Sequence, residues 1–404
     1  MRQCLLLLLC VLTSSATAQD TTVTLWTREV LKSSQLNEER SIYVATPEGY
    51  RTGTDRYPVV VILDANDKYQ FTLALANVAF LASRGAIPKL IVVGIPNGKD
   101  RTHDLTPVTA AANAKNFPTA GGAARFADFI VGEVVPLVRS KYRTLPGIIL
   151  AGHSFGGLLA LEVAANKPGA FNGVIAMSPA LWWNDSSGIV GYSDAIAKST
   201  KPQRLFVTSG GLEDDIDRTT RRFSQRLDSL KPALTVFGHQ RYPEDTHGLT
   251  PAPSLADGLR FAFEPVSVMK LPLHALGPSS DSAAVMRALM DSKRQYATAA
   301  RSFGLDERLP EPELNSLGYA VLQMLKKPAF AVWVFKQNVD LYPESANVYD
   351  SLGDGLLAQG DTTAAMVQFR RAIDVATRTH HPVLQESQRK LKALEVSQAA
   401  KPRS

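Results

Sequence analysis

Ser154 lies at the centre of Gly152-His153-Ser154-Phe155-Gly156, with a glycine two residues before it and another two after. A serine hydroxyl becomes a nucleophile when a neighbouring base takes its proton and a carboxylate holds that base in one tautomer. Seven histidines compete for the base. His153 adjoins the serine, and a neighbour in a tight turn does not readily bring its imidazole onto Ser154, so it reads as structural. His274 falls in a Pro-, Gly- and Ser-containing stretch, and His380 and His381 fall in a helical tail. His239 follows the end of an expected strand, and His103 sits in Arg101-Thr102-His103-Asp104, a candidate substrate loop. His247, in Glu244-Asp245-Thr246-His247-Gly248, comes after the last expected strand and before a helical segment. That suits the chain order serine, acid, histidine. Between them, Gly210-Gly211-Leu212-Glu213-Asp214-Asp215 offers three carboxylates, of which Glu213 is the choice for the acid.

Such a set performs nucleophilic acyl chemistry, which also needs two N–H groups for the developing oxyanion. The Phe155 N–H directly after the serine is one. The loop Asp64-Ala65-Asn66 after an apolar run supplies the other, assigned to Asn66.

These residues need a frame. Apolar runs at Ser41–Ala45, Pro58–Leu63, Leu90–Ile95, Ile148–Ala151, Gly173–Met177, Leu205–Thr208 and Leu234–Gly238 read as strands. Several are near-continuous Val, Ile and Leu, as strands covered on both faces must be. Helical patterns such as Ala124–Tyr142 and Gly156–Ala165 lie between them. The alternation predicts an α/β domain with a mostly parallel sheet, helices on both faces and a site at the strand carboxyl ends. Ser154 then sits on a sharp strand-to-helix turn that lifts its hydroxyl above the sheet.

This domain is expected over residues 19–266, with a link over 267–282. An all-α region follows over 283–395, then a tail over 396–404. Ser316-Leu317-Gly318 returns as Ser351-Leu352-Gly353, with Tyr342-Pro343-Glu344-Ser345-Ala346 between the copies. The period is that of helix–turn–helix repeats of the tetratricopeptide kind. Two copies are few for a free-standing solenoid, so the helices are expected to pack on the catalytic domain or on another subunit.

Residues 1–18 read as an export signal. Met1-Arg2 is followed by apolar Cys4 to Leu12 and an Ala16-Thr17-Ala18 cleavage site. Cys10 raises a lipoprotein signal as the rival, but leucines rather than small residues precede it. The two cysteines of the chain, Cys4 and Cys10, both fall in this segment. The expected mature protein, periplasmic or secreted, therefore has no thiol for catalysis, disulfides or Cys-based metal sites. No cofactor, metal or transmembrane span is expected. The net charge of +6 comes from scattered Lys and Arg without an aromatic-interleaved basic motif, which speaks against nucleic acid as a partner.

From about Thr22 to Phe263 the chain resembles the esterase D-like branch of the α/β hydrolases, which includes periplasmic siderophore esterases and is similar to the mycolyltransferases. The resemblance rests on Arg40-Ser41-Ile42-Tyr43-Val44, Pro47-Glu48-Gly49-Tyr50, Tyr57 through Asp64, Val92-Val93-Gly94-Ile95-Pro96-Asn97 and Asp104-Leu105-Thr106-Pro107. It continues through the Ser154 segment, Ser178-Pro179-Ala180-Leu181-Trp182-Trp183, His247-Gly248 and Leu255 through Phe261. It implies an α/β-hydrolase fold, serine ester hydrolysis, Ser154 as nucleophile and His247 as base. The family commonly has Gly where this chain has Ala65, and often Asn where Thr246 stands. Its acid varies in position, and some members work with a Ser–His dyad. Trp182 and Trp183 are candidates for an aromatic pocket wall, and Arg101, His103 and Asp104 for the pocket mouth.

The expected activity is exported carboxylic-ester hydrolysis of a small-molecule or acylated-sugar ester. Acyl transfer to a sugar or lipid alcohol is the alternative enzyme. A non-catalytic interaction protein, with a protein partner or self-association through the helices, is the alternative of a different class.

Overall fold

The computed structural model describes residues 24–110, 114–267 and 281–399. The expected export signal and its cysteines, most of the link with His274, and the end of the tail lie outside the described residues.

Eight strands form one sheet: β1 Thr27–Ser33, β2 Glu38–Ala45, β3 Tyr57–Leu63, β4 Ile91–Ile95, β5 Thr144–His153, β6 Gly173–Met177, β7 Gln203–Gly210 and β8 Thr235–Tyr242. Their order is β1-β2-β4-β3-β5-β6-β7-β8. β1 with β2 and β2 with β4 pair antiparallel, and every other pair is parallel. All seven expected strands are present. β1 is the addition: its sequence TREVLKS is mostly charged and polar with only Val30 and Leu31 apolar, and its burial is shallow. An edge strand with one half-covered face carries no continuous apolar run to betray it.

The central strands show why near-continuous apolar sequence was needed. Val59, Val61 and Leu63 of β3 join the core on one face, and Val60 and Ile62 join the core on the other. The first face is covered by Ala123–Lys141, Phe155–Asn166, Gly188–Ala197 and Asp214–Leu230, the second by Lys68–Ser83 and Pro251–Phe263. The expected helix at 124–142 is interrupted by one π turn at Ile130–Val134. Pro136, just beyond it, has no N–H to give to the preceding turn.

The helical region comprises Ser282–Phe303, Glu311–Gln323, Pro328–Leu341, Ala346–Ala358, Thr362–Thr379 and Leu384–Ala399. Its first helix packs on the sheet domain. Ala300 and Phe303 belong to the second-face core, and Phe303 meets Phe263 at 5.1 Å between ring centroids. Phe303 also fills the space beside Gly147, and Gly304 abuts Pro146. Residues 146 and 147 lie toward the start of β5, whereas Ser154 follows its end. This first helix is therefore docked at the end of the sheet remote from the serine.

The short sequence repeat has a packing counterpart. A Cβ on Gly318 would overlap the ring of Phe335, and a Cβ on Gly353 would overlap the ring of Phe369. Each glycine thus lets the second helix of its hairpin approach closely through a buried phenylalanine. Gly318→Ala is expected to lower stability by about 1–2 kcal/mol despite the better helix propensity of alanine. Ester turnover should stay at the wild-type level; urea unfolding and steady-state assays of the same preparation check both.

Candidate active site

Ser154 adopts φ +61° and ψ −118°, outside the regions comfortable for a residue with a Cβ. Such backbone strain costs on the order of 1–3 kcal/mol and persists only where surroundings over-determine it. Here they do. The Ser154 N–H donates to the Met177 carbonyl at 3.0 Å. Its own carbonyl accepts from Leu158 N–H at 2.9 Å and Ala180 N–H at 3.1 Å. A Cβ on Gly152 would overlap the Gly156 carbonyl, and one on Gly157 would stand 2.9 Å from the Met177 carbonyl oxygen. The glycines let strand and helix close on each other so that the serine is forced to the apex.

The imidazole of His247 comes to this apex from the loop after β8. Its Nδ1 is 2.5 Å from Glu213 Oε2, and its ring lies 4.3 Å from the His153 ring between centroids. Among the described residues no direct hydrogen bond links the Ser154 hydroxyl to His247; such bonds are often loose in unliganded enzymes and tighten in the complex. Glu213 is buried, and its Oε1 accepts from Ser178 Oγ at 2.7 Å and from the Gly210 N–H. Ser178 Oγ is also 2.9 Å from Thr250 Oγ1, which donates to the His247 carbonyl at 3.1 Å. Burial acts to raise the Glu213 pKa, but the hydrogen bonds from His247, Ser178 and Gly210 prevail and hold it below the ordinary carboxylate range. Of the three neighbouring carboxylates only this one meets the histidine. Asp215 pairs with Arg218 at the surface, and Asp214 is exposed.

His153 is packed beneath His247. Burial, reinforced by the neighbouring His247, pushes its imidazole down to about 4, so it is neutral at pH 7. Its Nε2 is buried without a hydrogen-bond partner.

On the other side of the serine, Asp64 turns the chain after β3 with φ +58°. The Ala65 N–H is spent on the Ile95 carbonyl at 3.1 Å, and Asn66 Oδ1 accepts from Asn97 N–H at 3.0 Å. The Asn66 N–H has no protein acceptor among the described residues, as is true of the first N–H of a helix, which here is Phe155. Alanine is accommodated at 65 because the positive φ falls on Asp64, and because Gly94 leaves room for the Ala65 methyl.

Trp182 and Trp183 join Phe155 and Phe117 in one aromatic cluster, with ring centroids 4.7–6.3 Å apart. Trp183 is 4% exposed and belongs to the core, while Trp182 is half-buried. The three residues assigned to the mouth separate. Arg101 stands at the site, bidentate to Asp64 and over the Phe155 ring. His103 is exposed and tied to the Thr119 carbonyl through Nδ1 at 2.7 Å. Asp104 does not line a mouth: it is 4% exposed and bound to Arg40 at 2.6 Å, because a buried carboxylate needs a cation. Sequence reasoning missed Ser178, Thr250, Asp64 and Phe117. Ser178 and Asp64 were visible inside recognised segments, whereas Phe117 and Thr250 had no signal beyond their residue type. Among the described residues no cluster of His, Cys, Asp and Glu is arranged to hold a metal, and no helix is long and apolar enough to cross a membrane.

A family model described as "Putative esterase" matches residues 33–233, a span that contains Ser154 and Glu213 and ends before His247. The ferri-bacillibactin esterase of Bacillus subtilis is 30% identical over 232 residues, covering 52% of this chain and 78% of that protein. The siderophore triacetylfusarinine C esterase of Aspergillus fumigatus is 36% identical over 146 residues, covering 34% of this chain; the chain spans about half, 49%, of that relative's length. A crystal structure of an IroE-like serine hydrolase from Shewanella oneidensis superposes with a TM-score of 0.62 at 27% identity, covering 78% of this chain and 99% of that one. This chain belongs to the esterase family of the α/β-hydrolase fold.

Proposed function

We propose that the protein is an exported serine carboxylic-ester hydrolase with Ser154 as nucleophile, His247 as general base and Glu213 as the acid that orients it. The observation that carries this reading is the buried Glu213, bonded to His247 Nδ1 beside a serine held at φ +61°. With Nδ1 engaged, the Nε2 of His247 is the nitrogen left to take the serine proton. Ser154 Oγ attacks the ester carbonyl carbon while His247 accepts its proton. The tetrahedral oxyanion is held by the Phe155 and Asn66 N–H groups, each worth about 3–4 kcal/mol to the transition state. His247 then protonates the departing alkoxide and activates the water that clears the acyl-enzyme. The ionised Glu213 stabilises the imidazolium in both steps. His153, kept neutral by burial, adds no positive charge against it.

The substrate class proposed is a siderophore ester, since the relatives named above are esterases of siderophores. The half-buried Trp182 and the ring of Phe155, inclined to each other, give the acyl group an apolar aromatic surface beside the nucleophile. The first C-terminal helix packs against the start of β5, remote from Ser154.

Ser154→Ala is expected to reduce turnover of both a p-nitrophenyl ester and a ferric trilactone siderophore by at least about 10³-fold. Wild-type turnover by that variant on either substrate would refute the assignment. Glu213→Gln should lower kcat by roughly 10³–10⁴-fold with little change in KM, because the imidazole loses its tautomer and its counter-charge. A Glu213→Gln enzyme of normal kcat would instead indicate a Ser–His dyad.

His153 also sets an acid limit on stability. Its folded value of about 4 lies below the unfolded 6.5, so the unfolded chain binds a proton that the folded chain refuses between those pH values. Stability is therefore lost as pH falls from about 6.5 to about 4, by up to about 3 kcal/mol from this group. Urea titrations at pH 7 and pH 4.5 should show a smaller acid loss in His153→Phe than in the wild type.

A further inference from the structure

We infer that Arg101 is a positioning residue that ties the two walls of the oxyanion site into one geometry. The inference rests on the reading of Ser154, Phe155 and Asn66 given above. One wall is the loop after β3. Asp64 makes its turn, and the Asp64 carboxylate accepts from Arg101 Nε at 2.6 Å, from an Arg101 terminal nitrogen at 3.0 Å, and from Asn97 Nδ2 at 2.6 Å. The other wall is the serine turn. The same guanidinium donates a long bond of 3.5 Å to the His153 carbonyl and lies 5.4 Å from the centroid of the Phe155 ring. Arg101 thus touches the residue before the nucleophile, the residue after it, and the residue that turns the chain toward Asn66.

The parallel pairing of β3 with β5, registered as far as Ile62 and Ala151, brings the loop and the serine turn side by side. Beyond that ladder, Arg101 adds side-chain bonds to both. Asp64 stands at φ +58°, a backbone conformation that costs a residue with a Cβ some energy, though Asp tolerates it better than most. The planar fork of arginine holds its carboxylate through two parallel hydrogen bonds, a geometry that lysine does not reproduce. Arg101 is itself anchored from behind. It opens the short helix Arg101–Leu105, capped by Asp100 through the His103 N–H at 2.9 Å, and Asp104 of that helix is bound to the buried Arg40. Gly98 lies flat against the Arg40 guanidinium, where any Cβ would overlap it. The buried pair Arg40–Asp104 therefore has a use in the site although neither residue reaches it: it sets the origin from which Arg101 extends.

Arg101 is about one-third exposed, so contact with the substrate is the competing role. The two roles separate in kinetics. A positioning residue affects the transition state of every ester, whereas a substrate contact affects binding of those esters that carry a matching group.

The experiment compares Arg101→Met, Arg101→Lys, Asp64→Asn and the double variant Asp64→Asn/Arg101→Met with Ser154→Ala. The substrate is p-nitrophenyl acetate, which has no negative charge for Arg101 to hold, and phenylboronic acid serves as a tetrahedral transition-state mimic. The expected result for Arg101→Met and Asp64→Asn is a kcat lower by about 10–100-fold, part of the loss seen when an oxyanion donor is removed outright. KM should stay within about threefold, and the boronate should bind more weakly in parallel with kcat. Arg101→Lys should recover part of kcat, and the double variant should lose little more than either single one, because both remove the same tie. If Arg101→Met loses its near-UV circular dichroism, Asp64→Asn, which keeps the side-chain shape, carries the test. An unchanged kcat, or a raised KM at unchanged kcat and boronate affinity, overturns the positioning role. Wild-type turnover by Ser154→Ala overturns the underlying assignment instead.

Discussion

The close approach of Gly152 to Gly156 governs the arrangement of the whole site. β5 must end and the helix Phe155–Asn166 must begin within one residue, and no side chain fits between their backbones. Ser154 is left to make the turn at φ +61°, a conformation it would not hold alone. Three backbone hydrogen bonds from Met177, Leu158 and Ala180 secure it, and two of them depend on β6 and the loop that follows it. The sheet order places β6 directly beside β5, so the pairing of these two strands is what supports the turn. The strain at one serine is thus offset by the packing of the central sheet.

Around that apex the polar groups divide into two sets. On one side the buried Glu213 carboxylate is met by Ser178, the Gly210 N–H and His247, and Thr250 donates to the His247 carbonyl. On the other side Asn97 and Arg101 meet the Asp64 carboxylate in the loop that presents Asn66. In the proposed mechanism the first set handles the proton, and the second shapes the place where negative charge develops. Buried polar groups of this kind are costly when half-paired and rigid when complete. The rigidity is what a preorganised site requires.

Much of this was legible in the sequence because physics leaves few alternatives there. Continuous Val, Ile and Leu at Val59–Leu63 and Ile148–Ala151 read as doubly covered strands, and glycines flanking a serine at a strand end read as a tight turn. The order serine, acid, histidine directed attention to the segments of Glu213 and His247, but the choice among Glu213, Asp214 and Asp215 needed the contact between Glu213 and the His247 Nδ1. β1 was not legible, because a mostly polar edge strand with two apolar residues has no distinguishing run. In sequence, Asp104 looks like a pocket-mouth residue, because a polar loop residue near a site resembles a functional one until its partner is known. That partner, Arg40, is 64 residues away in sequence, and nothing local announces it. The role of Phe117 was hidden for the same reason: its neighbours Phe155 and Trp183 come from other elements.

The central claim is that the chain performs covalent catalysis at Ser154. The most direct measurement is mass spectrometric mapping of the enzyme after rapid acid quench during turnover of a slowly deacylating p-nitrophenyl ester. The expected result is a single acyl group on the peptide that contains Ser154, formed in step with the burst of p-nitrophenol. Turnover with the acyl group on another residue would contradict it, as would a burst that leaves Ser154 unmodified.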